Sequence, residues 1–357
     1  MVEWRLPGRV KRRKSFRRES DARAFEAEVI ASRNRGVVID PRRGDGVTVA
    51  HTYSAWLATR QDVSPKTRRG YEDNWRNHIE PIFGAWPVTK VDRASIQDWV
   101  NGMTVGPRTK RWRHTVLRMV LDHAVAEGWL VKNVAHVTNF PPLTQHQHDY
   151  LTADEVYRLA ELCGPQGDVV IILALTGMRW GELIGLNVGD VDLGKRRAYV
   201  RRSITQVGGK LITGATKSKA GHRAIPIPTS LVPILAARIN GRPKTAPAIC
   251  SPRGARLGRE NWVRAVQWKT QTAALGHPQL RIHDLRHTYA SLARSAGADL
   301  RILMKAMGHA SITVTAHTYA DLYDGELDGI AEALDTLGPK YDGPPSTAIY
   351  DGPPEAH

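Results

Sequence analysis

Cysteine is nearly absent from this chain of 357 residues: Cys163 and Cys250 stand far apart, and neither belongs to a CxxC or Cys/His spacing. A disulfide framework and a thiolate zinc site are therefore excluded as organising devices. Long apolar runs are missing too. The longest, VVIILAL at 169–175, has the length of one buried element and falls far short of the ~18 residues of a membrane span. Arg and Lys appear from residue 5 on without the apolar run of a signal peptide, so a reducing cytoplasm is the expected compartment and no membrane partner is expected. Acidic side chains are outnumbered, 35 Asp and Glu against 51 Lys and Arg, which gives a formal charge of +16. Such a balance points to a polyanionic partner, nucleic acid first.

The charge is unevenly spread. Residues 1–18 carry eight Lys or Arg against Glu3, whereas residues 321–357 carry nine Asp or Glu against Lys340, so residues 1–320 hold a net +24. The length suits two or three domains. Residues 1–45 read as a basic arm running into a helix around 20–33; few strand-like residues precede residue 20, and Arg12, Arg13, Lys14 and Arg17 are its candidate DNA contacts. Residues 46–138 read as all-helical. Ser64 before Pro65 marks one helix start, a further helix follows Asp92, and another runs from Pro107 to Glu127 before Gly128. In that last helix Trp112, Val116, Val120 and Ala124 fall on one stripe expected to be buried. Arg108, Lys110, Arg111 and Arg113 gather at its start, where cations oppose the helix dipole; a phosphate backbone would account for that conflict.

A Pro-containing connector, residues 139–148, separates this segment from the next; its HQH lacks the further ligands of a metal site and reads as linker. Residues 149–336 begin with a Thr152/Glu155 capping box, pass through a buried helix at 167–176 that stops at Gly177, and show short branched or alternating runs from about 195 to 227. Those runs predict a small antiparallel sheet, after which helices resume. Residues 337–357 repeat YDGPP and read as a disordered tail. The fold class expected is thus mostly α with a small antiparallel β-sheet.

Four short motifs hold the chemistry. TGMRWGEL places Arg179 beyond a helix end with Glu182 three residues on, where the carboxylate can orient the guanidinium toward a phosphate. TKSKAGHRAIPIP puts Lys217 and Lys219 on a hairpin entering a strand; either can donate a proton, and spacing does not choose between them. In IHDLRHTYAS, His283 and Arg286 share one helix face while His287 projects about 100° further round. His283 and His287 resemble half a metal site, but no third ligand follows, so no metal or other cofactor is expected. MGHASITVTAHTYADLY brings His309 after Gly308 and Tyr319 ten residues later. Each feature alone suits a surface ion pair, a solvated lysine or a packing residue.

Their joint order, Arg, Lys, His-x-x-Arg, Gly-His, then Tyr, resembles the tyrosine recombinase family, and within it the phage-type integrases. The resemblance covers roughly residues 46–335. It implies a helical core-DNA-binding domain and a catalytic domain that together clamp duplex DNA, with 1–45 as a reduced arm-binding segment. It implies that Tyr319 attacks the scissile phosphate to form a 3′-phosphotyrosyl bond, that Arg179, Arg286 and His309 stabilise the transition state, that Lys217, favoured over Lys219 by its place upstream of Ile225–Pro226, is the general acid, and that His283 assists near the tyrosine. A homotetramer on attachment-type DNA sites follows, in a bacterial host's cytoplasm at the nucleoid, with a host DNA-bending protein and an excision factor as further partners. Xer-like resolution of chromosome dimers is the nearest alternative. A non-catalytic DNA-binding regulator, a monomeric type IB topoisomerase and a metal nuclease stand further off.

Overall fold

The computed structural model describes residues 1–5, 11–34, 44, 46–143, 149–214 and 222–308. Over these the chain is mostly helical with small antiparallel sheets, and it divides into two compact units near residue 146.

The N-terminal stretch departs from expectation. Strand β1 (Val2–Arg5) pairs antiparallel with β2 (Lys11–Lys14), and helix α1 (Glu19–Asn34) follows. Val2 and Trp4 alternate onto one face of the hairpin; Val2 is buried, and Trp4 meets Phe25 of α1 edge to face at 5.2 Å. Phe16 adds a second ring at 5.2 Å from Phe25. Two apolar residues in a basic run were too weak a pattern to read as strand, yet they suffice once a helix supplies the opposing ring.

Helices α2 (Val49–Ala58), α3 (Pro65–Asn74), α4 (Glu80–Phe83), α5 (Arg93–Gly102) and α6 (Pro107–Ala126) form the helical unit. The hydroxyls of Thr48 and Ser64 and the carboxylate of Asp92 accept from the free amides at the starts of α2, α3 and α5, so these helices begin where the cap residues stand. Between α3 and α4 the residues Trp75–Ile79 form a π turn, with the Glu80 amide donating to the Trp75 carbonyl. Pro81 gives the reason: its ring crowds the preceding turn and its nitrogen has no proton to donate, and the wider turn accommodates both. The core gathers Trp56, Ile79, Phe83, Ile96, Leu117 and Leu121. In α6 Val116, Val120 and Ala124 are buried as expected, but Trp112 is 41% exposed. It lies beyond the end of the core and stacks on Tyr71 at 5.7 Å.

The second unit opens with α7 (Ala153–Leu162), whose Thr152/Glu155 capping box is formed in both directions. Helix α8 (Asp168–Thr176) is apolar on every side and is therefore central, packed by α7, α10 and α13. It ends at Gly177, whose φ of 62° favours a residue without a Cβ. Helix α9 (Trp180–Leu183) follows, then β3 (Val191–Asp192), β4 (Arg197–Val200), β5 (Ser203–Val207), β6 (Lys210–Gly214) and β7 (Arg223–Pro226). The strands do not form the single sheet expected. β3, β4 and β7 make one antiparallel sheet, with Ala198 opposite Ile225, while β5 and β6 pair separately. Ala198, Val200 and Ile225 face the core, whereas no residue of β6 is buried. Helices α10 (Leu231–Ile239), α11 (Arg259–Ala265), α12 (Trp268–Ala274), α13 (Asp284–Ser295) and α14 (Leu300–Met307) complete this unit. The two cysteines are unpaired with each other, and burial pushes the Cys163 thiol up to about 11. Among the described residues no helix is long and apolar enough to cross a membrane.

Candidate active site

Arg179 occupies the turn between α8 and α9, where Gly177 reverses the chain and Arg179 stands as the residue that starts α9. Glu182 is buried beneath it. One carboxylate oxygen accepts from the Arg179 amide at 2.9 Å and the other from Arg179 Nη1 at 2.9 Å, so the carboxylate fixes both backbone and guanidinium. The Arg179 side chain remains 42% exposed, against 4% for Glu182. An oriented, open guanidinium on a buried carboxylate can bind an anion with its remaining N–H groups.

Glu182 has a second partner that the sequence reading missed. Arg223, on β7, donates from Nη1 and Nη2 to the two carboxylate oxygens at 3.1 and 3.0 Å, and from Nε to the Ala306 carbonyl at 2.8 Å. Burial acts to raise the Glu182 pKa, but the hydrogen bonds and charge of Arg223, joined by Arg179, outweigh it and hold the carboxyl below its ordinary value. The signal available in the sequence was a lone Arg in the strand-like HRAIPIP, facing the side opposite Ala224.

Arg286 lies in the first turn of α13 and is 2% exposed. Nη1 donates to the Gly177 carbonyl and Nη2 to that of Met307 at 2.6 Å. The guanidinium is thus held inside the protein between the end of α8 and the end of α14, whereas the sequence reading had it open to a phosphate. His283 immediately precedes α13, and its ring meets that of His287 edge to face at 5.2 Å. His287 is therefore beside His283, not turned away from it. His283 is exposed to solvent, yet desolvation by the surrounding protein and then the charges of Arg286 and Arg179 lower its pKa below the ordinary histidine value, favouring the neutral ring at pH 7. Arg179, Arg286 and His283 are in this way brought to one place from two separate helices.

Lys217, Lys219, His309 and Tyr319 lie outside the described residues. Among the described residues no group of three or more His, Cys, Asp or Glu is placed to hold a metal ion. Tyr289 packs: its half-buried ring abuts Gly177, and burial raises its pKa.

The candidate DNA contacts divide. Lys110 turns back to the Val100 carbonyl at 2.9 Å, and Arg111 donates to the Pro141 carbonyl at 2.9 Å while lying over the Phe140 ring. Both cations therefore hold backbone at the ends of other segments, which relieves the dipole conflict expected at the start of α6. Arg108 is exposed and Arg113 half-buried. In the hairpin Arg13 pairs with Glu3 at 3.0 Å, and Lys14 lies 4.9 Å from the Phe25 ring centre. Arg17 is exposed, and the Arg12 side chain is outside what is described.

The chain is similar to known proteins in sequence and in fold. The Phage integrase family matches residues 149–326, and the Phage integrase, N-terminal SAM-like domain matches residues 48–104. The integrase of Mycobacterium phage FRAT1 is 32% identical over 272 residues, covering 74% of this chain and 80% of that protein. Among solved structures, the Tn1549 transposon integrase in complex with transposon right end DNA superposes with a TM-score of 0.66 at 21% identity, over 80% of this chain and 100% of that one. A lambda integrase tetramer bound to a Holliday junction gives a TM-score of 0.58 at 18% identity, over 88% of this chain and 91% of that one. With the family pattern spanning the segment that holds Arg179, His283 and Arg286, and a relative of this identity and coverage, the chain belongs to the phage integrase family of tyrosine recombinases.

Proposed function

We propose that the protein is an integrase: a site-specific recombinase that inserts a phage or mobile element into a host chromosome by cutting and rejoining DNA through a 3′-phosphotyrosyl intermediate. The observation that carries this reading is the convergence of Arg179, open and oriented by Glu182, with His283 and Arg286 at one place. Tyr319 Oη attacks the scissile phosphorus, and the bond from phosphorus to the 5′ oxygen breaks. Lys217 gives its proton to that oxygen. Arg179 stabilises charge on the non-bridging oxygens, with Arg286 behind it and His309 as a further donor. His283, neutral at pH 7, can accept the tyrosine proton. Because the phosphoester is preserved in the enzyme link, an incoming 5′-hydroxyl restores the DNA backbone with neither ATP nor metal.

Residues 1–45 serve as an arm contact, 46–138 as the core-site contact and 149–336 as the catalytic part, joined by 139–148 and followed by a 337–357 tail. Recombination of two duplexes needs one tyrosine for each strand cut, so four protomers assemble, as in the lambda integrase tetramer. The test is a nicked duplex carrying a verified site, incubated in EDTA and resolved on a denaturing gel. A covalent complex lost in Tyr319→Phe is expected. No complex with the wild-type protein on that site would overturn the reading.

A further inference from the structure

Arg223 is 6% exposed in its side chain and binds both oxygens of a carboxylate that is itself 4% exposed. Burying an ion pair is costly unless further hydrogen bonds complete it, and here every partner belongs to the candidate site. Glu182 carries one negative charge and two guanidiniums. Arg223 donates to both carboxylate oxygens, while the Arg179 guanidinium donates, from Nη1, to only one. Without Arg223 the carboxylate would be free to neutralise Arg179 in a paired, two-bond geometry, the arrangement a guanidinium otherwise offers a phosphate.

Arg223 also reaches the backbone of α14: its Nε donates to the Ala306 carbonyl, as Arg286 Nη2 donates to that of Met307. Two buried cations thus grip the last turn of α14, the negative end of its dipole, just before Gly308 turns left-handed at φ 64°. The chain leaves that turn toward His309 and then Tyr319, and it enters β7 from the segment that holds Lys217.

We propose that Arg223 is a positioning residue for strand cleavage: by taking both Glu182 oxygens it limits that carboxylate to one bond with the Arg179 guanidinium, leaving the other N–H groups of Arg179 for the phosphate, and it ties the strand after the lysine segment to the helix end before the tyrosine segment. The inference rests on the recombinase reading, and its failure differs from the failure of that reading.

The test compares wild type, Arg223→Lys, Arg223→Gln, Glu182→Gln and the double variant Arg223→Gln/Glu182→Gln. Single-turnover covalent-complex formation on a nicked site, DNA affinity and thermal unfolding are measured for each. Arg223→Gln is expected to slow covalent-complex formation about tenfold or more with DNA affinity within about twofold of wild type, because the defect lies in transition-state charge and not in uniform binding. Arg223→Lys, which keeps the charge and loses the two-oxygen grip, should recover part of the rate. In the Glu182→Gln background, Arg223→Gln should cost less than it does alone, since the two act through one contact. Wild-type rates in Arg223→Gln and Arg223→Lys would overturn the inference, as would an undiminished effect of Arg223→Gln in the Glu182→Gln background. If Arg223→Gln does not fold, a folded Arg223→Lys at the wild-type rate is the overturning result and a slowed one the supporting result. Absence of covalent complex in the wild type overturns the recombinase reading instead.

Discussion

At the scale of single residues, the site depends on a buried carboxylate that two arginines share. Glu182→Gln removes the negative charge between two guanidiniums and puts an NH2 donor in place of one of the two oxygens that accept from them and from the Arg179 amide. Covalent-complex formation is expected to fall by about ten- to a hundredfold. DNA affinity should be unchanged or slightly higher, because a negative charge is lost; a rate equal to wild type in the nicked-substrate assay would contradict this. The pairing of Arg179 with Glu182 was legible because three-residue spacing at a helix start puts side chain over side chain. Arg223 was not, because its partner lies 41 positions away and no local periodicity joins them. Arg286 was legible in place but not in environment: nothing in IHDLRHTYAS tells that carbonyls at Gly177 and Met307 close around it.

At the scale of elements, two predictions follow from turns and buried polar groups. Gly177 takes φ 62°, and a Cβ there would stand inside the ring of Tyr289 while its carbonyl serves Arg286. Gly177→Ala should therefore destabilise the catalytic unit by about 1–3 kcal/mol, read in urea melts. Adding Tyr289→Ala should relieve the clash yet leave the backbone strain. In the helical unit, His114 of α6 sits buried, with Nε2 3.0 Å from the Ala135 carbonyl and 2.9 Å from the Thr138 hydroxyl, and burial lowers its pKa to about 4. The folded ring stays neutral while the unfolded ring takes a proton below its ordinary 6.5, so stability is full above that pH and declines as pH falls toward 4. The loss should be on the order of 2 kcal/mol for residues 46–143, and His114→Gln should flatten the slope between pH 6.5 and 5, where carboxylates contribute least. Helix starts at Ser64, Asp92 and Thr152 are legible in the sequence because a cap acts on amides within three residues, and that at Pro107 because proline suits the first helical position. The β1–β2 hairpin and the division of the strands into two sheets were not, since partners outside each run decide both.

At the scale of the whole chain, the formal charge of +16 predicts that DNA affinity falls steeply between about 50 and 200 mM salt. Removing residues 1–34 should reduce the slope of log affinity against log salt, because the exposed cations of the hairpin and of Arg17 go with them; an unchanged slope in a filter-binding titration would show that this segment meets no phosphate. Each compact unit has its own apolar core, so residues 46–143 and 149–357 expressed apart should each give a cooperative melt. The sequence by itself determined the family, the mostly helical class, the cap positions and the order of the candidate catalytic residues, because these rest on local spacing and on side-chain chemistry. Only the tertiary structure decided that Glu182 is shared between Arg179 and Arg223, that Arg286 is enclosed, and that Lys110 and Arg111 hold backbone. Those outcomes depend on which distant carbonyls and charges the packed chain brings within hydrogen-bond reach.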